Sequence, residues 1–422
     1  MKISRRALVS GASVAGPALA WWLERAGWRV EVVERASQLR TGGQNVDVRG
    51  AARGVVRAMG LEDRLLAAGT GEAGIRFVDG AGRSLAEFPA GEGDSGGATA
   101  EAEVLRGRLA QLLVGACGDG VRWRWGDTIA ALDQRPAGRD HEGVEVTFAS
   151  GDRATYDLVV AADGGRSRTR DLVPGTDARL RPLGVTIAYG TVPPAADDDR
   201  WWRWYVAPGG RNVTLRPDGE GTTRAALAFA ADPDGPAGLR LADLDDDGRL
   251  DLLRRRFTGA GWESERVLAG LAADPELYVE HLAQVRAARW TSGAVALLGD
   301  AAWAVTPLAG QGTSLAIAGA QVLVGEVEAA LAAGGTVAEG LVAYERVMRP
   351  VVEDVQDLPP GVPRLAYPRS RVAVAAARTA LRVAGSRPAR RLAGLLPGGD
   401  DGPAWEVPDY PALTRPAGGA PT

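Results

Sequence analysis

Residues 5–34 run strand, glycine turn, helix, strand and acid, and few folds accept that order. Arg5-Arg6-Ala7-Leu8-Val9 is predicted as a short strand. Gly11-Ala-Ser-Val-Ala-Gly16 follows, then a helix through "PALAWWLERAG" and a strand from Trp28 to Val33 that ends at Glu34. Such a turn brings a helix N-terminus, with its unsatisfied N–H groups and positive dipole end, toward a phosphate. Gly11 permits the tight turn and Gly16 permits close helix–strand packing. Glu34 lies 18 residues past Gly16, near the spacing of a ribose ligand. Ser13 replaces the middle glycine of the GxGxxG pattern and is still small enough for the backbone to near a pyrophosphate. A strand–helix–strand unit of this kind predicts a parallel sheet and an α/β fold.

Two later segments follow the same logic. In "ALLGDAAWAVTPLAGQGTSLAIAGA" (296–320) an apolar strand stops at Gly299-Asp300. Pro307, Gly310-Gln311-Gly312 and a small-residue helix come next. The strand end presents a carboxylate that can bind a sugar hydroxyl, and the glycines let the helix start approach something flat and electron-rich. In "DLVVAADGGRSRTR" (157–170) a third strand ends in Asp163-Gly164, with Arg166, Arg168 and Arg170 behind it. Alone, an Asp-Gly after a strand is a common turn; in this series it reads as part of one nucleotide site.

Composition narrows the chemistry. The chain has 422 residues, 45% of them hydrophobic, enough for a large core and two or three lobes. A net charge of −4 gives no basic field to recruit nucleic acid. The single cysteine, Cys117, reads as a packed thiol and excludes an internal disulfide or a multi-cysteine metal site. Two histidines, His141 and His281, argue against zinc hydrolysis, and no metal is expected. Arg5-Arg6 with Ala18-Leu19-Ala20 mimics a twin-arginine export signal. Cleavage there would destroy the first strand–helix–strand unit, so a cytoplasmic protein is expected. No apolar run reaches a membrane-spanning length free of glycine and charge.

Along the chain, strand and helix alternate to about residue 74. Residues 75–100 read as a hairpin about Asp79-Gly80 with a mobile glycine-rich end at 90–99, and a helix is predicted from about Leu105. Strands are predicted at 121–125, 128–133, 144–148 and 154–161. From 183 to 230 strand follows strand, which predicts an inserted antiparallel sheet. Helices and loops fill 233–282, helices run to about 356, and an Ala/Arg-rich helix near 371–384 precedes a loose Gly/Pro tail.

The three motifs, in this order and at these separations, resemble the single-component FAD-dependent aromatic hydroxylases with the para-hydroxybenzoate hydroxylase fold. The resemblance spans residues 5 to about 350. The phrase "GGQNVDVRGAARGVVRAMGL" resembles most the branch of tetracycline-inactivating and natural-product tailoring monooxygenases. The resemblance implies a Rossmann-like FAD-binding domain from 1–74, 101–177 and 283–356. An inserted antiparallel-sheet substrate domain would come from 75–100 and 178–282, and a C-terminal helix and tail from 357–422. It implies that Gly11, Ser13 and Gly16 line the adenosine diphosphate and that Glu34 binds the ribose. Arg106 matches the arginine near the ribityl-pyrophosphate, with Arg108 where relatives often carry an acid. Asp163 and Gly164 match the shared FAD and nicotinamide motif, and Asp300 the ribityl-binding aspartate. Pro307, Gly310, Gln311 and Gly312 would lie beside the isoalloxazine, and Trp303 stands where many relatives have histidine.

The resemblance further implies transient NADPH or NADH as reductant and oxygen transfer through a flavin hydroperoxide onto a hydrophobic aromatic or polyketide-like metabolite. A helix beginning at Gly312 would stabilise the reduced, anionic flavin. No catalytic residue is singled out. The resemblance makes Gln44, Asp47 and Arg49 pocket candidates at the flavin or pocket entrance, against a polar loop that only closes the first strand–helix–strand unit. Trp202 and Trp204, which share one strand face opposite Trp201, Arg203 and Tyr205, are candidates for stacking on a substrate, against simple packing of the sheet on helices. Arg211, Arg216 and Arg224 are candidates for orienting an enolate or carboxylate, against a surface role. The alternatives are a cyclase or scaffold in which FAD is structural, and Baeyer–Villiger insertion. A halogenase is disfavoured, because "WWRWYV" lacks the GWxWxIP signature and Lys2 is the only lysine. The protein is expected as a monomer or homodimer without nucleic-acid or membrane partners.

Overall fold

The computed structural model describes residues 4–91, 102–135, 143–231, 244–306, 310–357, 365–386 and 405–414. Its first sheet has the order β17 (Thr291–Ser292), β18 (Val295–Leu297), β11 (Leu158–Ala161), β1 (Arg6–Ser10), β2 (Arg29–Glu34) and β7 (Val121–Trp125). All neighbours are parallel except β17 and β18. These strands are short apolar runs, as befits a sheet covered on both faces. One face carries α1 (Ala15–Arg25), α4 (Arg106–Val114) and the long α9 (Gly312–Ala332). The other carries an antiparallel layer of β8 (Ile129–Arg135), β9 (Gly143–Phe148) and β10 (Arg153–Tyr156). The predicted strand 154–161 is two strands in two sheets. Asp157 makes the break, its carboxylate accepting from the Arg6 N–H at 2.6 Å.

Helix α9 is long and apolar enough to cross a membrane, but two-thirds of its apolar window (67%) is buried in the protein. It is the central core helix, enclosed by α1, α2 (Ala51–Ala58) and α10 (Val337–Gln356). Helix α10 begins at a capping box in which Thr336 and Glu339 satisfy each other's free N–H groups. The short α3 (Glu62–Ala67) follows α2.

The second large sheet has seven strands. Their order is β16 (Tyr278–Arg286), β12 (Arg179–Val192), β15 (Thr223–Ala230), β14 (Arg211–Pro217), β13 (Trp201–Ala207), β4 (Gly74–Val78) and β5 (Ser84–Pro89). It is antiparallel except where β4 joins β13. Its outer face packs Tyr205, Val213, Leu215, Leu227 and Phe229 against α6 (Asp246–Phe257) and α7 (Ser264–Ala273). Strand β16 crosses the boundary expected at 282/283, staying paired with β12 to Arg286. A two-stranded ribbon, β3 (Asn45–Asp47) with β6 (Glu103–Leu105), lies between the large sheets. A four-residue helix, α5 (Arg168–Asp171), follows β11, and another, α8 (Asp300–Trp303), follows β18. Helix α11 (Arg371–Ala384) crosses the β5 end of the second sheet.

The expectation of a loose tail is overturned for its described part. Tyr410 and Leu413 are buried in the core. The Tyr410 hydroxyl donates to Glu326 on α9 at 2.8 Å, and Arg25 Nε donates to the Leu413 carbonyl at 2.6 Å. The tail's glycines and prolines concealed a few well-spaced apolar anchors. The glycine-rich stretch expected to be mobile falls almost wholly outside the described residues, as does His141.

Candidate active site

The three motifs follow three adjacent strands, β1, β11 and β18, so their loops meet at one end of the parallel sheet. Ligands of open α/β sheets bind at such carboxyl ends, where strand order reverses. Between β1 and β11, Gly11 takes a φ of 108°, and a Cβ there would stand 2.5 Å from the Ala162 carbonyl oxygen. A Cβ on Gly16 would meet the Gly11 oxygen at 1.9 Å. The turn therefore closes only with both glycines. Glu34 accepts from the Ala12 and Ala36 N–H groups, each at 3.0 Å, which pins its carboxylate over the turn.

Asp163 ends β11 inside a hydroxyl cage. It accepts from the Ser167 hydroxyl and from both the Thr169 N–H (3.2 Å) and hydroxyl (3.0 Å), and Thr169 also meets Ser10 at 2.9 Å. Arg170 donates to the carbonyls of Gly165 and Ala301, both at 3.1 Å, tying this loop to α8.

In the run from Val295 to Trp303, Asp300 alone is exposed while every neighbour is buried. Packed protein around its carboxyl raises its pKa through desolvation, and the Arg106 charge opposes that rise. The Arg106 side chain lies against Gly43, and the Arg106 backbone N–H donates to the Gln44 carbonyl at 2.8 Å. Gly310, Gln311 and Gly312 lead into α9, with Asp300 Oδ1 3.8 Å from where a Gly312 Cβ would be. Ser314, in the first turn of α9, donates to the Asp47 carbonyl at 3.2 Å and accepts from the Arg49 N–H at 3.0 Å. Asp47 pairs with Arg49 at 2.9 Å and lies 3.9 Å from a Cβ built on Gly310. Pro307 lies outside the described residues.

The inner face of the second sheet carries Trp202 and Trp204, half-buried, with ring centroids 4.8 Å apart. Phe77 continues the row 6.0 Å from Trp204. Arg216, directly across from Trp202, lays its guanidinium 3.9 Å from that ring's centroid. It is no surface residue: it pairs with Glu72 at 2.6 Å and Glu103 at 3.1 Å, carboxylates whose side chains are 1% and 2% exposed. Arg224 shares this face and is held by Asp218 at 3.3 Å. Arg211 is a correction. It lies on the outer face, donating to the carbonyls of Pro208 (2.7 Å) and Arg256 (2.8 Å), and braces α6. Alternation along β14 places it with Val213 and Leu215.

The model of a family described as an FAD binding domain matches residues 5–358. A flavin-dependent monooxygenase of Phoma sp., eupH, is 35% identical over 431 residues, covering 96% of this chain and 98% of that protein. An uncharacterised protein of Mycobacterium tuberculosis is 37% identical over 325 residues, 76% of this chain and 85% of its own. Among solved structures, tetracycline destructase Tet(55) superposes with a TM-score of 0.77 at 30% identity, covering 97% of this chain and 100% of its own. The chain belongs to the FAD-dependent monooxygenases.

The residues of this monooxygenase fit FAD. Ser13 is exposed between buried Ala12 and Val14, as Asp300 is between its neighbours, so both present polar atoms from an otherwise closed surface. Gly11, Gly16 and Glu34 form one cluster at the β1 turn; Asp300, within the field of Arg106 and close to Gly312, forms another. Trp303 points away from it into the core, 4.6 Å from Trp290 and 6.2 Å from Tyr344. A surface depression of about 790 Å³ beside Trp290, Arg286 and Arg349 includes none of the residues matched to the cofactor. Among the described residues no His, Cys, Asp and Glu group could hold a metal. Glu72 and Glu103 escaped sequence reading because neither stands in a motif; their only signal is an acid just before β4 and another at the start of β6.

Proposed function

We propose that this monooxygenase uses NADPH or NADH and dioxygen to hydroxylate a hydrophobic aromatic or polyketide-like metabolite. The supporting observation is the convergence of three glycine-and-acid loops at one sheet end, together with a second sheet whose inner face is lined by Trp202, Trp204 and Phe77. When bound, FAD would supply the redox chemistry, with two electrons drawn from the nicotinamide, one atom of dioxygen going to the acceptor and the other leaving as water. The protein's part is to hold, orient and exclude water.

Glu34 receives the ribose hydroxyls, its carboxylate already positioned by two backbone N–H groups. Ser13 and the first turn of α1 take the pyrophosphate. Asp300 takes a ribityl hydroxyl and Arg106 balances its charge. The N-terminus of α9, a helix of 21 residues, stabilises negative charge on the ring system beside Gly310–Gly312. Ser314 fixes the 45–49 ribbon against that helix. The row of aromatic side chains supplies a stacking surface for fused rings.

The experiment is an anaerobic spectral titration of the purified flavoprotein with NADPH and with NADH, followed by air, with and without polycyclic phenols. Bleaching that one compound class accelerates, with a product one oxygen atom heavier by mass spectrometry, is the expected result. Flavin that neither nucleotide reduces under any condition overturns the proposal in favour of a structural flavin. A lactone or ester product identifies Baeyer–Villiger insertion.

A further inference from the structure

Three arginines on and beside the inner face of the second sheet, Arg216, Arg224 and Arg49, are already matched. Arg216 lies between Glu72 and Glu103, both almost fully buried. Burial alone would lower its pKa, but the fields of Glu103, Glu72 and Asp47 outweigh that and raise it. Arg224 has Asp218, whose side chain is wholly buried, and Glu220 at 3.6 Å. Arg49 has Asp47. On and beside this face Glu72, Glu103, Asp47 and Asp218 stand against Arg216, Arg49 and Arg224. Toward the cofactor end Glu280 and Asp300 stand against Arg106 and Arg166, which leaves carboxylates in excess by one, with half-exposed Glu220 at the rim. Beside buried Glu72, Glu103 and Asp218, such an excess disfavours an anion.

Arg216 is also sterically committed. Its guanidinium carbon lies over the Trp202 ring, and Glu103 is itself fixed by the Thr70 hydroxyl at 2.9 Å and by the Asn45 amide. A guanidinium paired with two buried carboxylates has no charge to offer a third. What this face offers a ligand is the aromatic row of Trp202, Trp204 and Phe77.

We infer that the cleft selects uncharged polycyclic aromatic compounds and rejects carboxylates, with Glu72 and Glu103 as the residues that set this preference by neutralising Arg216. The inference rests on the monooxygenase reading for the identity of the substrate wall and adds the charge of the substrate.

The test is binding to the oxidised holoenzyme without reductant, read by tryptophan quenching and by perturbation of the flavin absorption bands. The probes are 2-naphthoate, its methyl ester and 2-naphthol. The ester and the naphthol should bind at least about tenfold more tightly than the acid, the factor that one unfavourable charge contact produces. Glu72→Gln and Glu103→Gln each leave Arg216 one carboxylate and should narrow the ester-to-acid ratio several-fold. The acid–ester comparison in the unaltered protein stands even if both variants fail to fold. Acid binding as tight as ester binding, absence of binding by all three probes, or folded variants with an unchanged ratio would overturn the inference. A well-bound ester that is never oxidised counts against the hydroxylation proposal alone.

Discussion

The guanidinium of Arg216 and the indole of Trp202 form a stacked pair across β13 and β14, 3.9 Å from charge to ring centroid. The pair sits on two buried carboxylates, so its removal has a definite sign. Arg216→Met leaves Glu72 and Glu103 without their cation and should destabilise the protein by roughly 3–5 kcal/mol. Urea denaturation checks this. A variant of unchanged stability would show that water reaches the pair.

Gly16→Ala tests the turn. The added Cβ would stand 1.9 Å from the Gly11 carbonyl oxygen, with backbone rather than a flexible side chain in the way. The variant should purify without flavin or fail to fold. Gly54, in α2, is the control: a Cβ there meets nothing within 4 Å. Gly54→Ala should stabilise by about 0.5–1 kcal/mol, and calorimetry of the two variants separates local strain from a general effect of added bulk.

Asp300→Ala removes a charge-assisted hydrogen bond that we assign to the ribityl chain. It should weaken FAD binding by roughly 1.5–3 kcal/mol, read as flavin lost on gel filtration. A fully yellow variant would refute the assignment. Asp300→Asn, which keeps the shape, should retain more flavin than the alanine variant.

The parallel sheet and its three loops were legible in the sequence because each loop needs particular residue types: a glycine where a Cβ would strike a carbonyl, an acid where a strand ends. The face of Trp202 and Trp204 was legible for a similar reason, since alternation along a strand is fixed by its geometry. The arginines were not. Alternation along β14 puts Arg211 and Arg216 on opposite faces, but only the fold shows that one face meets α6 and that the other meets the distant Glu72 and Glu103. Non-local pairing of charges leaves no periodic trace. The docked segment ending at Leu413 was hidden likewise, because its partners Arg25 and Glu326 lie far away in sequence.

Asp198 gives the acid limb of stability a local component. Burial pushes its carboxyl up, but hydrogen bonds from Arg266, the Ala195 N–H and Thr223, with the Arg203 charge, outweigh that and hold its pKa at about 2. A carboxyl lowered on folding stabilises above its unfolded pKa and loses that contribution as pH falls through its folded value. Its share is therefore complete above the ordinary aspartate value of 3.8 and fades toward about 2. Asp198→Asn should lower the melting temperature at neutral pH and make the curve flatter than wild type between those two values. A parallel offset at every pH would show that Asp198 contributes through packing rather than charge.

The final segment provides the most direct test of its own docking. A Cβ on Gly325 of α9 would lie 2.5 Å from the Tyr410 ring, so that glycine exists to admit the tyrosine. Tyr410→Ala should cost about 3–5 kcal/mol, the range for emptying a buried aromatic site. Gly325→Ala should act differently, leaving α9 intact while displacing the segment around Tyr410. Limited proteolysis distinguishes the two states: wild type should resist cleavage at 405–414, and Gly325→Ala should be cut there while the remainder stays folded and retains flavin. Equal resistance in both proteins would show that the Tyr410 ring can shift aside without releasing the segment.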